Sequence, residues 1–183
     1  MLVNGFFLAQ ILGAIAAIIF IASVQFKNKR HIVYFLIANT LIAMSALALL
    51  GAWGGLMTNF MSLLPTLYIY YLDKHHRRPR PVTAWVFWVL LFLGWLAIYS
   101  DPVDILALIG SSVYTFSLFR RHENEIRSML VVNQVAWVSY NVAVGLYTGA
   151  FFGLCFIVSD VIAIARYRKH RRWHRRSAHH WWR

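Results

Sequence analysis

A carboxylate and several amides stand inside long apolar stretches of the sequence, and Asp160 is the clearest case. An ionisable group in a bilayer is costly and usually functional, so Asp160 is a candidate for binding a proton, a cation or a hydroxylated solute. The alternative is an ion pair between Asp160 and Arg166, whose long side chain could extend to the membrane surface. Asp160 is therefore the first candidate for a binding role.

Four asparagines are further candidates for binding a polar solute. Asn39 and Asn133 occupy equivalent positions of an internal repeat, six to nine residues from the end of their stretches. They could face each other and line a pathway, or each could form an interhelical hydrogen bond, worth about 0.6 kcal/mol on average. Asn59 and Asn141 lie nearer the other ends of their stretches and are candidates for an outer vestibule.

Pro65 is a candidate hinge, because it leaves the backbone carbonyl of Met61 without its helical donor. An ordinary kink packed by neighbouring helices is the alternative. The sequence has no glycine-rich phosphate loop, no His-Glu-x-x-His motif and no paired carboxylates within a stretch. His170 and His174 have helical spacing but no Glu between them and no Cys nearby. We predict no catalytic residue, no metal site and no cofactor.

These side chains belong to a chain of 183 residues that is 60% hydrophobic, 13% charged and has a net charge of +12. Soluble domains have about a quarter charged residues, so this composition is not that of an ordinary soluble domain. Stretches of roughly 20 apolar residues can cross a bilayer. The sequence predicts seven transmembrane helices, over about 5–26, 31–50, 55–72, 84–100, 103–119, 128–147 and 149–166.

The charges predict the orientation of these helices. All 18 Lys and Arg residues lie after the first, third, fifth and seventh stretches. The opposite ends, such as Gly51–Gly55 and Asp101–Asp104, have none, and the two aspartates are expected to form a turn and a helix start. Short loops rich in Lys and Arg stay in the cytoplasm. We therefore predict an outside N-terminus and a cytoplasmic C-terminus.

The basic residues of segment 168–183 are predicted to bind the anionic lipids of the bilayer, and nucleic acid is not an expected partner. Trp173, Trp181 and Trp182 are interleaved with them, and tryptophan favours the membrane surface. The residues predicted to face the lipid are Arg168, Lys169, Arg171, Arg172, Arg175 and Arg176.

An offset of 94 residues, without gaps, aligns 8–78 with 102–172. The turn glycines, the helix asparagines and the basic ends coincide at this offset. Three stretches per unit and one unpaired stretch make the repeat parallel, as in small transporters that bind their substrate between the halves. The predicted fold is an all-α membrane protein of two parallel three-helix bundles, 1–78 and 102–167, a linker helix in 79–101 and a basic cytoplasmic tail, 168–183.

Two short patches carry a family resemblance: Leu8-Ala9-Gln10 with Gly13, and Pro102–Gly110 leading to Phe116-Ser117-Leu118-Phe119. With them the chain resembles the YgjV family of bacterial inner-membrane proteins up to about residue 167, and the 3+1+3 layout resembles the SWEET and PQ-loop superfamily. The resemblance implies a multi-pass protein of the bacterial inner membrane. Val24-Gln25 stands where other members of the superfamily have Pro-Gln, so sugar transport is not implied.

The leading expectation is transport of a small polar solute between the two halves, with Asp160, Asn39 and Asn133 at the site. The alternatives are a non-transporting receptor and an accessory or lipid-interacting protein that uses the basic tail. Small residues recur every four positions at Ala9, Gly13 and Ala17. Such a face packs helices closely within one chain, or associates two copies into a homo-oligomer.

Overall fold

In a computed structural model the described residues of the chain form seven α-helices and no β-strand. The backbone is described for 2–25, 29–75, 77, 79–120 and 123–178, and side chains for 4–19, 34–35, 37–75, 77, 79–120, 125–126 and 128–162. The all-helical class predicted from the sequence is confirmed. The helices are α1 (Leu2–Gln25), α2 (Lys29–Leu49), α3 (Trp53–Lys74), α4 (Pro81–Ile98), α5 (Asp104–Ser117), α6 (Glu123–Ala143) and α7 (Tyr147–Ala178).

Two glycines in the left-handed conformation end α2 and α6. Gly51 has φ +70° and Gly145 has φ +80°, a region that costs other residues energy because of their Cβ atom. The N–H groups of the following residues, Ala52 and Leu146, donate to carbonyls five residues earlier, at 2.9 and 2.8 Å. This hydrogen-bond pattern closes a helix C-terminus and lets the next helix start at once.

One predicted boundary was wrong. The turn before the last helix lies at 144–146 rather than between the predicted stretches 128–147 and 149–166, because Gly145 is the residue that takes positive φ. Helix α7 extends into the basic segment as far as Ala178. The side chains of its predicted lipid-binding residues lie outside the described residues.

The helix contacts connect six helices in a closed cycle. Each of α1, α2, α3, α5, α6 and α7 packs on the next in that order, α7 packs on α1, and α4 lies against α3 and α5. Exchanging α1, α2 and α3 with α5, α6 and α7 reproduces the six pairs of this cycle, whereas the contacts of α4 with α3 and α5 have no counterpart with α7 and α1 among the main helix contacts of the described residues. Within the cycle, the two sets of three helices therefore have equivalent packing partners.

A central cluster of buried side chains lies where the two sets of helices meet. It includes pairs of residues that are 94 positions apart, such as Ala46 with Tyr140 and Ala52 with Leu146. The buried members of the central cluster are Ala46, Leu47, Ala52, Ala107, Tyr140 and Leu146.

The two ends of the molecule differ in charge. We call the end that contains the central cluster the glycine-turn end, since it contains the turns at Gly51 and Gly145. The opposite end, with Lys74, Arg80 and Arg120, is the basic end.

Large apolar side chains cover the outside of the helices. On α4, Val82 is 72% exposed, and Trp85, Leu93 and Leu96 are also exposed. Extensive apolar surface of this kind indicates contact with a membrane or another apolar partner. Judged by its length and mean hydropathy, α4 is the one helix among the described residues that is long and apolar enough to cross a membrane. The shorter apolar helical stretches are Asn4–Ile19, Ile37–Leu49, Asp104–Ser117 and Tyr147–Ile162.

Gly51→Ala should lower the free energy of unfolding by about 1–2 kcal/mol, since an L side chain is strained at this φ. Gly5→Ala is the matched control, because a Cβ atom at either position meets no other atom within 4 Å. Gly5 lies in α1, so its replacement by alanine should be neutral or slightly stabilising. Thermal unfolding in detergent measures the stability of both variants. Equal stability of the two variants would contradict a role for the conformation of Gly51.

Candidate functional site

The buried hydroxyl of Tyr140 connects three helices at the glycine-turn end. It accepts a hydrogen bond from the Gly55 N–H of α3 at 2.9 Å and donates one to Asp104 Oδ1 of α5 at 3.4 Å. The Gly55 N–H is available because the first N–H groups of a helix have no intrahelical acceptor. Tyr140 is 0% exposed and Asp104 is 6% exposed, so these bonds form away from solvent. We call this set of contacts the Tyr140 link.

Asp104 also binds the connection between α4 and α5. Its Oδ2 accepts hydrogen bonds from the backbone N–H groups of Ser100 and Asp101, at 3.4 and 3.3 Å. The indole N–H of Trp95 on α4 donates to the Asp104 backbone carbonyl at 3.0 Å. The carboxylate is thus surrounded by donors, which offsets the cost of burying it. Asp104 therefore holds α4 as well as α3 and α6.

Two adjacent glycines make this approach of helices possible. A Cβ atom on Gly54 would overlap the Asp104 carboxylate, and one on Gly55 would overlap the ring of Tyr140. The structure thus explains the Gly54-Gly55 pair by packing, because any larger residue would push α3 away from α5 and α6.

A second set of polar contacts, the Gln10 link, joins α1 to α7 at the same end. Gln10 Nε2 donates to the Gly145 carbonyl at 2.6 Å, and Gln10 Oε1 accepts from the Thr148 N–H at 3.0 Å. The Thr148 hydroxyl donates to the Gln10 backbone carbonyl at 3.0 Å. Gln10 and Asp104 are 94 residues apart, as are Gly54 and Thr148. The two links therefore use positions that are equivalent in the repeat, but one is formed by an amide and a threonine and the other by a carboxylate and a tyrosine.

Asn39 and Asn133 lie seven residues before Ala46 and Tyr140, which are both in the central cluster. Seven residues are close to two turns, so each asparagine shares a helix face with its cluster residue, about 10 Å nearer the basic end. Each is also the midpoint of a 21-residue helix. The structure thus places the two amides on the faces that point to the central cluster, with Asn39 half-buried and Asn133 buried.

Asn133 is 7% exposed, and its Oδ1 atom has no hydrogen-bond partner among the described residues. The Oγ atom of Ser111, on α5, is in the same situation. Gly110, next to Ser111, packs on Ala136 and Trp137, one turn from Asn133. Both atoms therefore belong to the same stretch of the α5–α6 contact, and both retain capacity for a hydrogen bond.

Further polar side chains follow α3 and α5 from Asp104 toward the basic end. Thr58 and Thr115 are buried, and the hydroxyls of Thr66 and Tyr114 share a hydrogen bond of 2.9 Å between the two helices. Every buried residue of α5 is small or polar: Asp104, Ala107, Gly110, Ser111, Thr115 and Ser117. The α3–α5 contact is thus a polar seam that begins at the Tyr140 link.

The other predicted site residues lie at separate places. Asp160 is half-buried on α7, at the position equivalent to Thr66. Asn59 donates to the Gly55 carbonyl of its own helix at 3.3 Å, and Asn141 lies against Gly149. Both are near the glycine-turn end. Pro65 is buried inside α3, which is continuous through it.

Sequence reasoning missed Tyr140, the residue with the most consequential contacts. A tyrosine in an apolar stretch resembles ordinary apolar bulk, and its partners are distant in sequence. The available signal was the pair Gly54-Gly55, since adjacent glycines at a helix start indicate that something packs closely there. Asp104 was expected to help start a helix, and the structure places it at the first position of α5, where it is buried.

Helices that bury small and polar residues and expose large apolar ones are typical of an all-α membrane protein. Residues 7–171 match the model of the Imp-YgjV family, described as bacterial inner membrane proteins. The chain belongs to this family. Comparison with curated proteins and with solved structures gives no match.

Asp104→Ala should destabilise the protein by roughly 1–3 kcal/mol for each buried donor that loses its acceptor. Asp101→Ala is the matched control: its exposed carboxylate accepts one bond, from the Val103 N–H at 2.9 Å, and its loss should cost about 1 kcal/mol or less. The measurement is the thermal unfolding midpoint of both variants in detergent. A smaller loss for Asp104→Ala than for Asp101→Ala would show that the Tyr140 link does not stabilise the fold.

Proposed function

We propose that this inner-membrane protein transports a small polar solute through a site between two equivalent halves. The main support is the position of Asn39 and Asn133 at helix midpoints, on the helix faces that they share with residues of the central cluster. In our proposal the seven helices cross the membrane, so these midpoints lie near the bilayer midplane. Amides there can donate and accept hydrogen bonds, as recognition of a polar solute requires.

The equivalence of the halves is supported by the backbone. The hydrogen bonds of the turn at Gly51 recur at Gly145, and the pairs that connect α1, α2, α3, α5, α6 and α7 are unchanged when the halves are exchanged. Parallel repeats of three helices occur in small transporters, whose substrate site lies between the repeats. In our proposal the two sets of three helices are parallel repeats of a SWEET-like or PQ-loop-like architecture, with α4 as the linker.

The contact between α5 and α6 offers the second part of the site. Asn133 Oδ1 and Ser111 Oγ are enclosed hydrogen-bonding atoms without a partner among the described residues, and such atoms are costly unless something binds them. Asp160, on α7, is the third element, as a carboxylate that could bind a coupling proton. Rocking of the halves around this site would expose it to each side in turn.

A ligand that binds the folded protein at 100 times its dissociation constant should add about 2.7 kcal/mol of stability. The screen covers amino acids, sugars, nucleosides, polyamines and carboxylates, with thermal unfolding in detergent as readout. A stabilising compound should lose its effect in Asn133→Ala, and in Asn39→Ala if both amides bind it. Ser139→Ala is the control, because this exposed hydroxyl bonds only the carbonyl of Val135 on its own helix.

Positive compounds are then tested for flux into liposomes, with Asp160→Asn to test coupling to a proton gradient. Binding without flux would favour a receptor. No stabilising compound, with all variants folded, would contradict a soluble substrate and favour lipid or protein partners.

The proposed topology has its own test. A reporter that is active only outside the cytoplasm should be active in the turn at Gly51 and inactive after residue 183, because Lys and Arg retain their loops in the cytoplasm. A reporter active only in the cytoplasm should give the opposite result. The same activity at both positions would contradict the predicted orientation.

A further inference from the structure

We infer that Tyr140 is the gating residue of the glycine-turn end, where it closes the path to the Asn39 and Asn133 amides. The inference rests on the proposed function. Tyr140 combines two roles: its ring fills the central cluster, and its hydroxyl fastens α6 to α3 and α5.

The ring of Tyr140 lies between the glycine-turn end and the amides. Asn133 follows on the same face of α6, about two turns toward the basic end. The equivalent residue on α2 is Ala46, which leaves room for one large ring. A solute entering from the glycine-turn end must therefore displace Tyr140 or the helix that carries it.

The hydroxyl of Tyr140 determines how firmly that end is closed. It binds the start of α3 and the start of α5, and both helices belong to the polar seam. The Gln10 link fastens α1 to α7 at the same end, but Gln10 is not in the central cluster. Rocking of the halves would open this end by separating α3 from α5 and α6, and α1 from α7. The bond between the Gly55 N–H and the Tyr140 hydroxyl must then break, together with the Gln10 link.

Substitution of Tyr140 by phenylalanine separates the two roles of the side chain. The ring remains in the central cluster, so no large cavity is created. The hydrogen bonds to Gly55 and Asp104 are lost, and the balance between closed and open forms should shift toward the open form. A tenfold shift corresponds to about 1.4 kcal/mol.

Ser111 provides a reporter beyond the cluster. It lies one turn past Ala107, which is in the central cluster, and it is 1% exposed. Ser111→Cys is nearly isosteric and adds one thiol. The native cysteine, Cys155, is exposed, so the reporter is studied in a Cys155→Ser background.

The experiment measures the rate at which a membrane-impermeant maleimide labels this thiol from the glycine-turn side, in membrane vesicles of defined orientation. With Tyr140 present the rate should be low. Tyr140→Phe should raise it at least tenfold. Tyr147→Phe is the matched control, because it removes the hydroxyl of a tyrosine at the same end that is 59% exposed; it should leave the rate unchanged. Full labelling after denaturation verifies the reporter.

An unchanged rate in Tyr140→Phe, with the reporter fully reactive after denaturation, would overturn the inference. So would rapid labelling while Tyr140 is present. Solute flux in matched vesicles that retain the native Ser111 distinguishes the two proposals. Flux with an unchanged labelling rate leaves the transporter and removes the gate. A raised labelling rate without flux of any compound supports the gate and removes the transporter.

Discussion

One phenolic oxygen holds the glycine-turn end together. Tyr140 contributes it from α6, Gly55 of α3 donates to it, and Asp104 of α5 accepts from it. The contact exists only because Gly54 and Gly55 lack side chains, so that carboxylate and ring can lie against the backbone of α3. Buried polar networks are strong when every member is satisfied and costly when one is lost. The packing of α3, α5 and α6 at this end follows from that condition, and Trp95 extends it to α4.

The two sets of helices share a backbone plan but differ in which positions are polar. Where α1 has Gln10, α5 has Asp104; where α2 has Ala46, α6 has Tyr140. The contact between α3 and α5 is rich in hydroxyls, whereas Thr58 corresponds to Phe152 on α7. The contact between α3 and α5 is therefore a polar seam, whereas the equivalent contact between α7 and α1 is more apolar. The hydrogen-bonding capacity of the two contacts between the halves therefore differs, although their helices correspond.

Much of the fold was predictable, because long apolar stretches and turn glycines determine helix number and order. The last turn was misplaced because the predicted stretches 128–147 and 149–166 meet next to Gly149, and sequence does not reveal whether Gly145 or Gly149 takes positive φ. The burial of Asp104 was also beyond prediction, since aspartate is rarely buried unless it has partners, and the Tyr140 hydroxyl is 36 residues away in sequence. The roles proposed for Asn39 and Asn133 follow from their helix register and stay predictions.

The unsatisfied amide oxygen of Asn133 explains why a closed central cluster and a polar site belong together. A buried acceptor without a donor costs about 1–3 kcal/mol, and an apolar residue of similar size would fill the same space without that cost. Water reaching this amide would satisfy it but would also open a leak through the membrane. In the proposed function, closure at Tyr140, about two turns away, would keep the amide dry until a solute with its own donors arrives. Closure of a polar site on one side is also what the proposed alternating access requires.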